Sequence, residues 1–490
     1  MTEKKNIVEE NKEIVTNVEK KENKMGVMPV NRLLVTMAWP MMLSMLVQAL
    51  YNVVDSIFVS HITTNEVVLD ENGEFISAGT DAISALGLAF PVQILIIALG
   101  VGTGVGVNAV LSRALGEKDQ KTVNSAAVHA VFLMAVTYII NLVIGVFFSH
   151  TIISGQGAEG RKLEYGTTYL TIVCCCSLAV YMEIIFERLL QSTGRTLLSM
   201  IPQIAGAVIN CIMDPILIYG LFGAPKMGVA GAAIATVFGQ TVATVIGLWL
   251  NLKKNPDIQF SFRHFRPDKR IIGRIYSVGL PAIIMQAVGS VMNFGMNSII
   301  LALNQSAVAV FAVYYKLQSF FFMPIIGLGN AMVPIAAYNY GAGRRHRVIQ
   351  VFKCSLVYAF FLMFIGFLLF ELIPGTLLGL FDTGDDTLKI YGIPALRKIG
   401  VHYLLAWFCI MASSLFQALG NGVYSMFVSL ARQLVVLLPA AYILGKIGGI
   451  HLLWWCFPLA ELMSLTVCVF FLVRIYRKVI VNIPDERTTV

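Results

Sequence analysis

Val92-Gln-Ile-Leu-Ile-Ile-Ala-Leu-Gly-Val-Gly-Thr-Gly-Val-Gly106 and Leu317-Gln-Ser-Phe-Phe-Phe-Met-Pro-Ile-Ile-Gly-Leu-Gly-Asn-Ala331 are two apolar, glycine-bearing stretches of one 490-residue chain. Val92-Gln93, Gly102-x-Gly104 and Gly116 recur as Leu317-Gln318, Gly327-x-Gly329 and Gly341, each displaced by 225 positions. A constant displacement marks an internal repeat. Both stretches run on into a turn of glycine and charge, Ala114-Leu-Gly-Glu-Lys118 and Tyr340-Gly-Ala-Gly-Arg344. Slipped by one residue, the same displacement pairs Gln191-Ser-Thr-Gly194 with Gln417-Ala-Leu-Gly420. Ahead of them it becomes 241, pairing Pro40 with Pro281 and Asn52 with Asn293. The difference is an insertion around Thr63 to Thr80.

Composition names the solvent of this duplicated chain. Hydrophobic residues make up 57% and charged ones 13%, with a mean hydropathy of +0.75, outside the balance of a water-soluble domain. A bilayer core needs roughly 20 apolar residues per spanning helix. Twelve stretches qualify: 34–60, 82–111, 123–148, 165–189, 197–221, 228–251, 274–302, 307–338, 349–373, 391–417, 423–445 and 451–475. The expectation is an all-α integral membrane protein with twelve transmembrane helices in two pseudo-symmetric six-helix lobes. Residues 1–29 read as a disordered cytoplasmic tail, 30–252 as the amino-terminal lobe, 253–272 as the linker, 273–478 as the carboxy-terminal lobe and 479–490 as a second tail. An even number of spans per repeat gives parallel repeats, which in carriers enclose a central site.

The formal charge of +8 suggests nucleic acid until its placement is considered. Basic residues gather in alternate loops, around Arg113 to Lys121, Arg188 to Arg195, Lys253 to Arg274 and Arg344 to Arg347. That asymmetry places those loops and both termini in the cytoplasm, so no nucleic-acid partner is expected. The lipid bilayer is therefore an expected partner. No secretory signal is visible at the start. The eight cysteines lack metal-site spacing, and free Cys packs as a small hydrophobe.

Ionisable residues inside spans are candidates for function by default. Ser44, Gln48, Asn52 and Asp55 follow helical spacing and form one polar stripe. Gln203, Asn210 and Asp214 do the same in the fifth span, and Thr236, Gln240 and Thr244 in the sixth. Three helices of one lobe thus offer carboxylates, amides and hydroxyls to a common interior. A carboxylate withdrawn from water accepts a proton more readily, and oxygen ligands also suit Na⁺. Asp55, Asn210, Asp214 and Thr236 are therefore the expected coupling set, with Asp55, Asn210 and Asp214 as metal ligands if the ion is Na⁺. No other cofactor and no catalytic constellation is expected, so the chain does not read as an enzyme.

The substrate-contact set is Gln48, Asn52, Glu183, Gln286, Asn293 and Lys316. Met296 stands where Asp55 stands in the first half, and Ala440 where Asp214 stands, so ionisable coupling is concentrated in the amino-terminal half. Lys316, Arg432 and Glu461 suggest an ion pair or network in the other half, and Glu187 a partner for Arg188 or Arg195. Gly100-x-Gly-x-Gly-x-Gly106 lacks a preceding strand and a phosphate-binding lysine, and small residues at that spacing let helices approach closely in lipid. With no nucleotide site, an ion gradient is the expected energy source.

Ala38-Trp-Pro40, Gln48-Ala-Leu-Tyr-Asn-Val-Val-Asp55-Ser-Ile-Phe-Val-Ser60, Ser112-Arg-Ala-Leu-Gly116, Gln191-Ser-Thr-Gly194 and Asn210-Cys-Ile-Met-Asp214-Pro215 are similar to segments of the multidrug and toxic compound extrusion (MATE) family. Tyr315-Lys-Leu-Gln318 and Ala337-Tyr-Asn-Tyr-Gly341 extend the likeness across residues 30 to 478. The chain resembles the DinF-like branch, which implies a cation or proton site at Asp55, Asn210 and Asp214 and a drug contact at Gln48. The resemblance implies export of small drug-like molecules, chiefly organic cations, in exchange for H⁺ or Na⁺ by a monomer in a bacterial plasma membrane. The alternative is a lipid-linked saccharide flippase of the same superfamily, which Lys316 and Arg432 would serve.

Overall fold

The computed structural model describes residues 22–62, 68–69, 75–76, 78–263, 265–379 and 387–484. Residues 1–21 of the expected tail, residues 485–490, most of the expected insertion and the side chain of Asn52 lie outside the described residues. Within the insertion, Val68–Leu69 pairs antiparallel with Phe75–Ile76.

Long apolar runs between polar turns fold into helices, since in lipid a helix satisfies every backbone group internally. In chain order these are α1 Lys24–Val27, α2 Val30–Ser60, α3 Ala78–Gly116, α4 Gln120–Phe147, α5 Ser149–Ser154, α6 Gly160–Cys175, α7 Leu178–Ser192, α8 Thr196–Tyr219 and α9 Gly228–Lys254. The second half follows with α10 Lys269–Leu303, α11 Gln305–Gly341, α12 Arg345–Leu372, α13 Pro374–Gly379, α14 Thr387–Gly400, α15 Tyr403–Ala418, α16 Gly422–Leu430, α17 Leu438–Leu453 and α18 Cys456–Ile475. A π-helical turn, Ala431–Leu437, joins α16 to α17. Among the described residues 10 helices are long and apolar enough to cross a bilayer, or 12 spans if each of two bent pairs is one span. The bent pairs are α6 with α7, at 46°, and α14 with α15, at 51°.

Those two breaks occupy equivalent places in the repeat, and the backbone carries the duplication elsewhere too. Lys118 (φ 58°) and Gly343 (φ 71°), 225 residues apart, both hold the left-handed conformation at the turn after the glycine-bearing span. Gly194 (φ 82°) and Gly420 (φ 79°) pair in the same way. At the crossing of α3 and α11, a methyl on Gly116 would collide with the Tyr338 carbonyl and one on Gly341 with the Arg113 carbonyl. The two repeated glycines thus let the repeated helices meet backbone to backbone.

Among the described residues two buried cores result. One holds Val107, Leu133, Tyr181, Leu189 and Ile218, the other Tyr314, Leu328, Phe370, Tyr403 and Phe416. Helices α2 and α10 pass between them. Val30 to Met41 belong to the second core while Val59 and Ile62 belong to the first. Ile275 belongs to the first, whereas Met296 and Ile300 belong to the second. Residues 30–41, grouped by sequence with the first six spans, are therefore buried with the last six. Glycine permits this: Gly327 of α11 lies against the backbone of Met42, as Gly102 of α3 lies against Ile283.

The end of the expected disordered tail is a packed element in this structure. Met25 is fully buried, and Asn339 Nδ2 donates to its carbonyl at 3.1 Å. Arg347 donates to the Met28 carbonyl at 2.7 Å, and Arg344 pairs with Glu22 at 2.7 Å. Asn23 donates to the Thr193 carbonyl at 3.1 Å. The local signal is a helix cap, since the Asn23 side chain accepts from Met25 N. Burial beside Arg195 holds the Lys24 ammonium below its usual range.

Candidate functional site

The site begins where α8 and α9 touch. A side chain on Gly239 would strike the Gly206 carbonyl and the Asn210 Cβ, so the two glycines bring Asn210 within reach of Thr236. With the Asn210 amide oriented to satisfy its neighbours, its nitrogen donates to Asp214 Oδ2 at 3.2 Å. Its oxygen accepts from Thr236 N at 3.1 Å and lies 3.3 Å from the Thr236 hydroxyl. Pro215 follows Asp214 inside α8 and lacks the N–H that would close the helical bond one turn back.

Helix α2 brings the second acid. Tyr219 at the end of α8 donates to the Phe58 carbonyl at 2.7 Å, which fixes the end of α2 beside α8. The carboxyl groups of Asp55 and Asp214 lie within interaction range of each other. Two carboxylates have no donor between them, so a hydrogen bond across the pair requires a shared proton. Asp214 is fully buried, and among the described residues Oδ1 of each acid is buried without a hydrogen-bond partner. The result is an acid pair with two unmet acceptors and one amide support.

Next to this network lies a cavity of about 130 Å³. Asn210 and Thr236 line it, so they stand between the open space and Asp214. Gln48, Tyr51 and Met45 of α2, Gln93 and Ile97 of α3, Glu183, Glu187 and Arg188 of α7, Gln203 of α8 and Gln240 of α9 form the rest of the polar and flexible wall. Glu187 accepts from Gln191 at 2.6 Å, and Gln191 in turn accepts from Arg188 at 3.0 Å. Arg195 instead pairs with Asp257 at 3.1 Å. An amide thus links Glu187 to Arg188, while Glu183 faces the cavity.

The residues expected from sequence divide clearly. Gln48, Glu183, Asn210 and Thr236 line one cavity, and Asp55 and Asp214 pair beside it. Gln286 and Lys316 are exposed, Asn293 is half-buried, and none of the three lines the cavity. In the second half Arg432 and Glu461 form an ion pair at 3.5 Å without Lys316. Tyr51 and Gln93 were missed as site residues. Tyr51 lies three residues after Gln48 and four before Asp55 on the same stripe, a spacing that marks it; Gln93 is legible only as a repeat marker.

Comparison with known proteins adds an independent finding. The MatE family profile matches residues 74–216 and 281–443. The chain is similar to the multidrug export protein MepA of Staphylococcus haemolyticus, 26% identical over 432 residues, covering 88% of this chain and 90% of that protein. Among solved structures, it is similar to an outward-facing conformation of a multidrug resistance MATE family transporter of the MOP superfamily. The TM-score is 0.85 at 26% identity, over 94% of this chain and 98% of the other. A MOP superfamily transporter from Pyrococcus furiosus, reported with reverse polarity of its binding pocket, gives 0.82 at 25% over 94% and 99%.

Proposed function

Because the chain belongs to the MatE family of membrane transporters, whose profile covers both of its halves, we propose that it is a multidrug exporter of the DinF-like branch. It moves organic cations out of a bacterial cell by antiport with alternating access. The observation that carries this reading is the Asp55–Asp214 contact, backed by Asn210 and Thr236, against a cavity lined by Gln48 and Glu183.

The acids do the coupling through their own chemistry. With a proton between them, Asp55 and Asp214 bind each other and hold α2 against α8. Without it, two negative charges in a low-dielectric interior repel, and the cavity wall offers that charge to an organic cation. Proton and cation then compete for one charge, which is the linkage that antiport requires. Binding of one favours release of the other. A proton moving through 100 mV supplies about 2.3 kcal/mol. The same oxygens, with the Asn210 amide, are the ligands Na⁺ would use. Gln48 and Glu183 then contact the drug, whose flexible and aromatic surroundings include Met45 and Tyr51.

Reconstitution in liposomes tests this directly. With pH and Na⁺ gradients imposed separately, a fluorescent organic cation is expected to move against its own gradient under the pH gradient. Transport under a Na⁺ gradient alone would assign coupling to Na⁺. Movement under neither gradient would refute antiport. A saccharide flippase would need a basic cavity for pyrophosphate, whereas Glu183 and Glu187 outnumber Arg188 on this wall.

A further inference from the structure

The second half has its own polar centre, and the coupling scheme leaves it unused. Ser199-Met200 in α8 repeats as Ser425-Met426 in α16, which sets Arg432 at the place of Gly206. Gly228 (φ 55°) opens α9, and Gly449 (φ 60°) opens the matching stretch, which sets Glu461 at the place of Gln240. Gly206 and Gln240 both line the cavity of the first half. Where one half keeps open space, the other holds a guanidinium and a carboxylate.

The pair is not built as a structural brace. A buried ion pair that stabilises has close contacts and every remaining polar atom satisfied. Here Arg432 Nη1 reaches Glu461 Oε2 at 3.5 Å, one contact for a group with five N–H donors. Among the described residues, Glu461 Oε1 and the neighbouring Ser464 Oγ are buried without hydrogen-bond partners. Side-chain exposure is 26% for Arg432 and 3% for Glu461, so the guanidinium is the more accessible partner. Arg432 also belongs to the π-helical turn Ala431–Leu437, a local widening found at functional sites more often than in plain spans.

We infer that Arg432 is an oxyanion subsite, which binds a carboxylate or phosphate group of the carried molecule in place of its contact with Glu461. A planar guanidinium suits either group through paired N–H bonds. The first half takes the positive part of a substrate at its acid-lined cavity, and Arg432 takes the negative part. This assignment rests on the export reading. It divides recognition between the halves: the first binds by cation charge, and the second discriminates among cations by whether they also carry an acid.

The test uses a rhodamine with a free carboxylate, the methyl ester of the same dye and a phosphate-bearing analogue. Each is bound to the full-length protein in detergent and followed by fluorescence anisotropy. Arg432→Gln is expected to weaken binding of an oxyanion dye about tenfold and to leave the ester unchanged. The dye that loses more of its affinity identifies the oxyanion. Glu461→Gln removes the internal competitor and is expected to retain or strengthen oxyanion binding. The double variant Arg432→Gln, Glu461→Gln leaves no unpaired buried charge, and it must repeat the selective loss. An equal loss for ester and oxyanion dyes in the double variant, or no loss for any dye, would overturn the subsite. Selective binding loss together with a failure of the unaltered protein to export any of the dyes in liposomes would overturn the export reading and leave the subsite standing.

Discussion

The halves of this chain share their backbone and differ in their interiors. Lys118 and Gly343 take the same left-handed turn, Gly116 and Gly341 meet at one crossing, and the bent spans break at matching places. Inside, the first half holds Asp55 and Asp214 beside a cavity walled by Glu183, Glu187 and several amides, whereas the second holds a loose Arg432–Glu461 pair. The contrast separates two kinds of constraint. Backbone crossings admit only residues without a side chain in the way, so both copies keep them. An interior lined by side chains accepts exchange of one side chain for another that fits the space, so it is free to diverge in chemistry.

The largest effect expected from disturbing this contrast is on the acids. Asp214→Asn or Asp55→Asn should reduce gradient-driven export to background while leaving the protein in the membrane, read as dye efflux beside a quantified membrane fraction. Next come the shared glycines. Gly116→Val and Gly341→Val should each lower the melting temperature by several degrees, since overpacking costs roughly 1–3 kcal/mol. The two should behave alike; harm from only one would break the equivalence of the halves.

A smaller change follows from Asn210→Ala, which removes a hydrogen bond to a charged group, about 1.5–3 kcal/mol. Coupling-ion affinity should fall about tenfold or more, measured by the ion concentration that half-drives efflux. The caps of α4 and α12 give a finer contrast. Asp119 accepts from Thr122 N at 3.1 Å, whereas its counterpart Arg344 makes no side-chain cap. The Thr122 hydrogen bonds hold the Asp119 carboxyl below its usual range. Its contribution is therefore present above the unfolded-state carboxylate range and lost as pH falls through the folded value. Asp119→Ala should cost about 1 kcal/mol or less, seen as a melting difference at neutral pH that disappears in acid. Least of all, Gln286→Ala and Lys316→Ala should leave export within about twofold of the unaltered protein, because exposed side chains outside the cavity contribute little.

Much of this was legible in the sequence, and the reasons are physical. The spans are readable because lipid demands long apolar runs, and the repeat because crossing glycines and turn residues stay fixed. Asp55 and Asp214 stood out because charge inside a span is costly. The passage of α2 and α10 between two cores was not legible, since burial of Val30 to Met41 depends on which helix lies opposite. Packing of Met25 was hidden by the polar residues around it. Gln286 and Asn293 were chosen by stripe and Lys316 by its charge inside a span, but neither signal says whether a side chain faces a cavity or another surface.

Competition between a proton and a cation for the Asp55–Asp214 pair is the central claim, and proton release on binding tests it most directly. An organic cation is added to purified protein in weakly buffered solution, and a pH-sensitive dye reads the protons set free. The unaltered protein should release protons in proportion to bound cation, and the Asp55→Asn, Asp214→Asn double variant should release none. Undiminished release by that double variant would contradict the account.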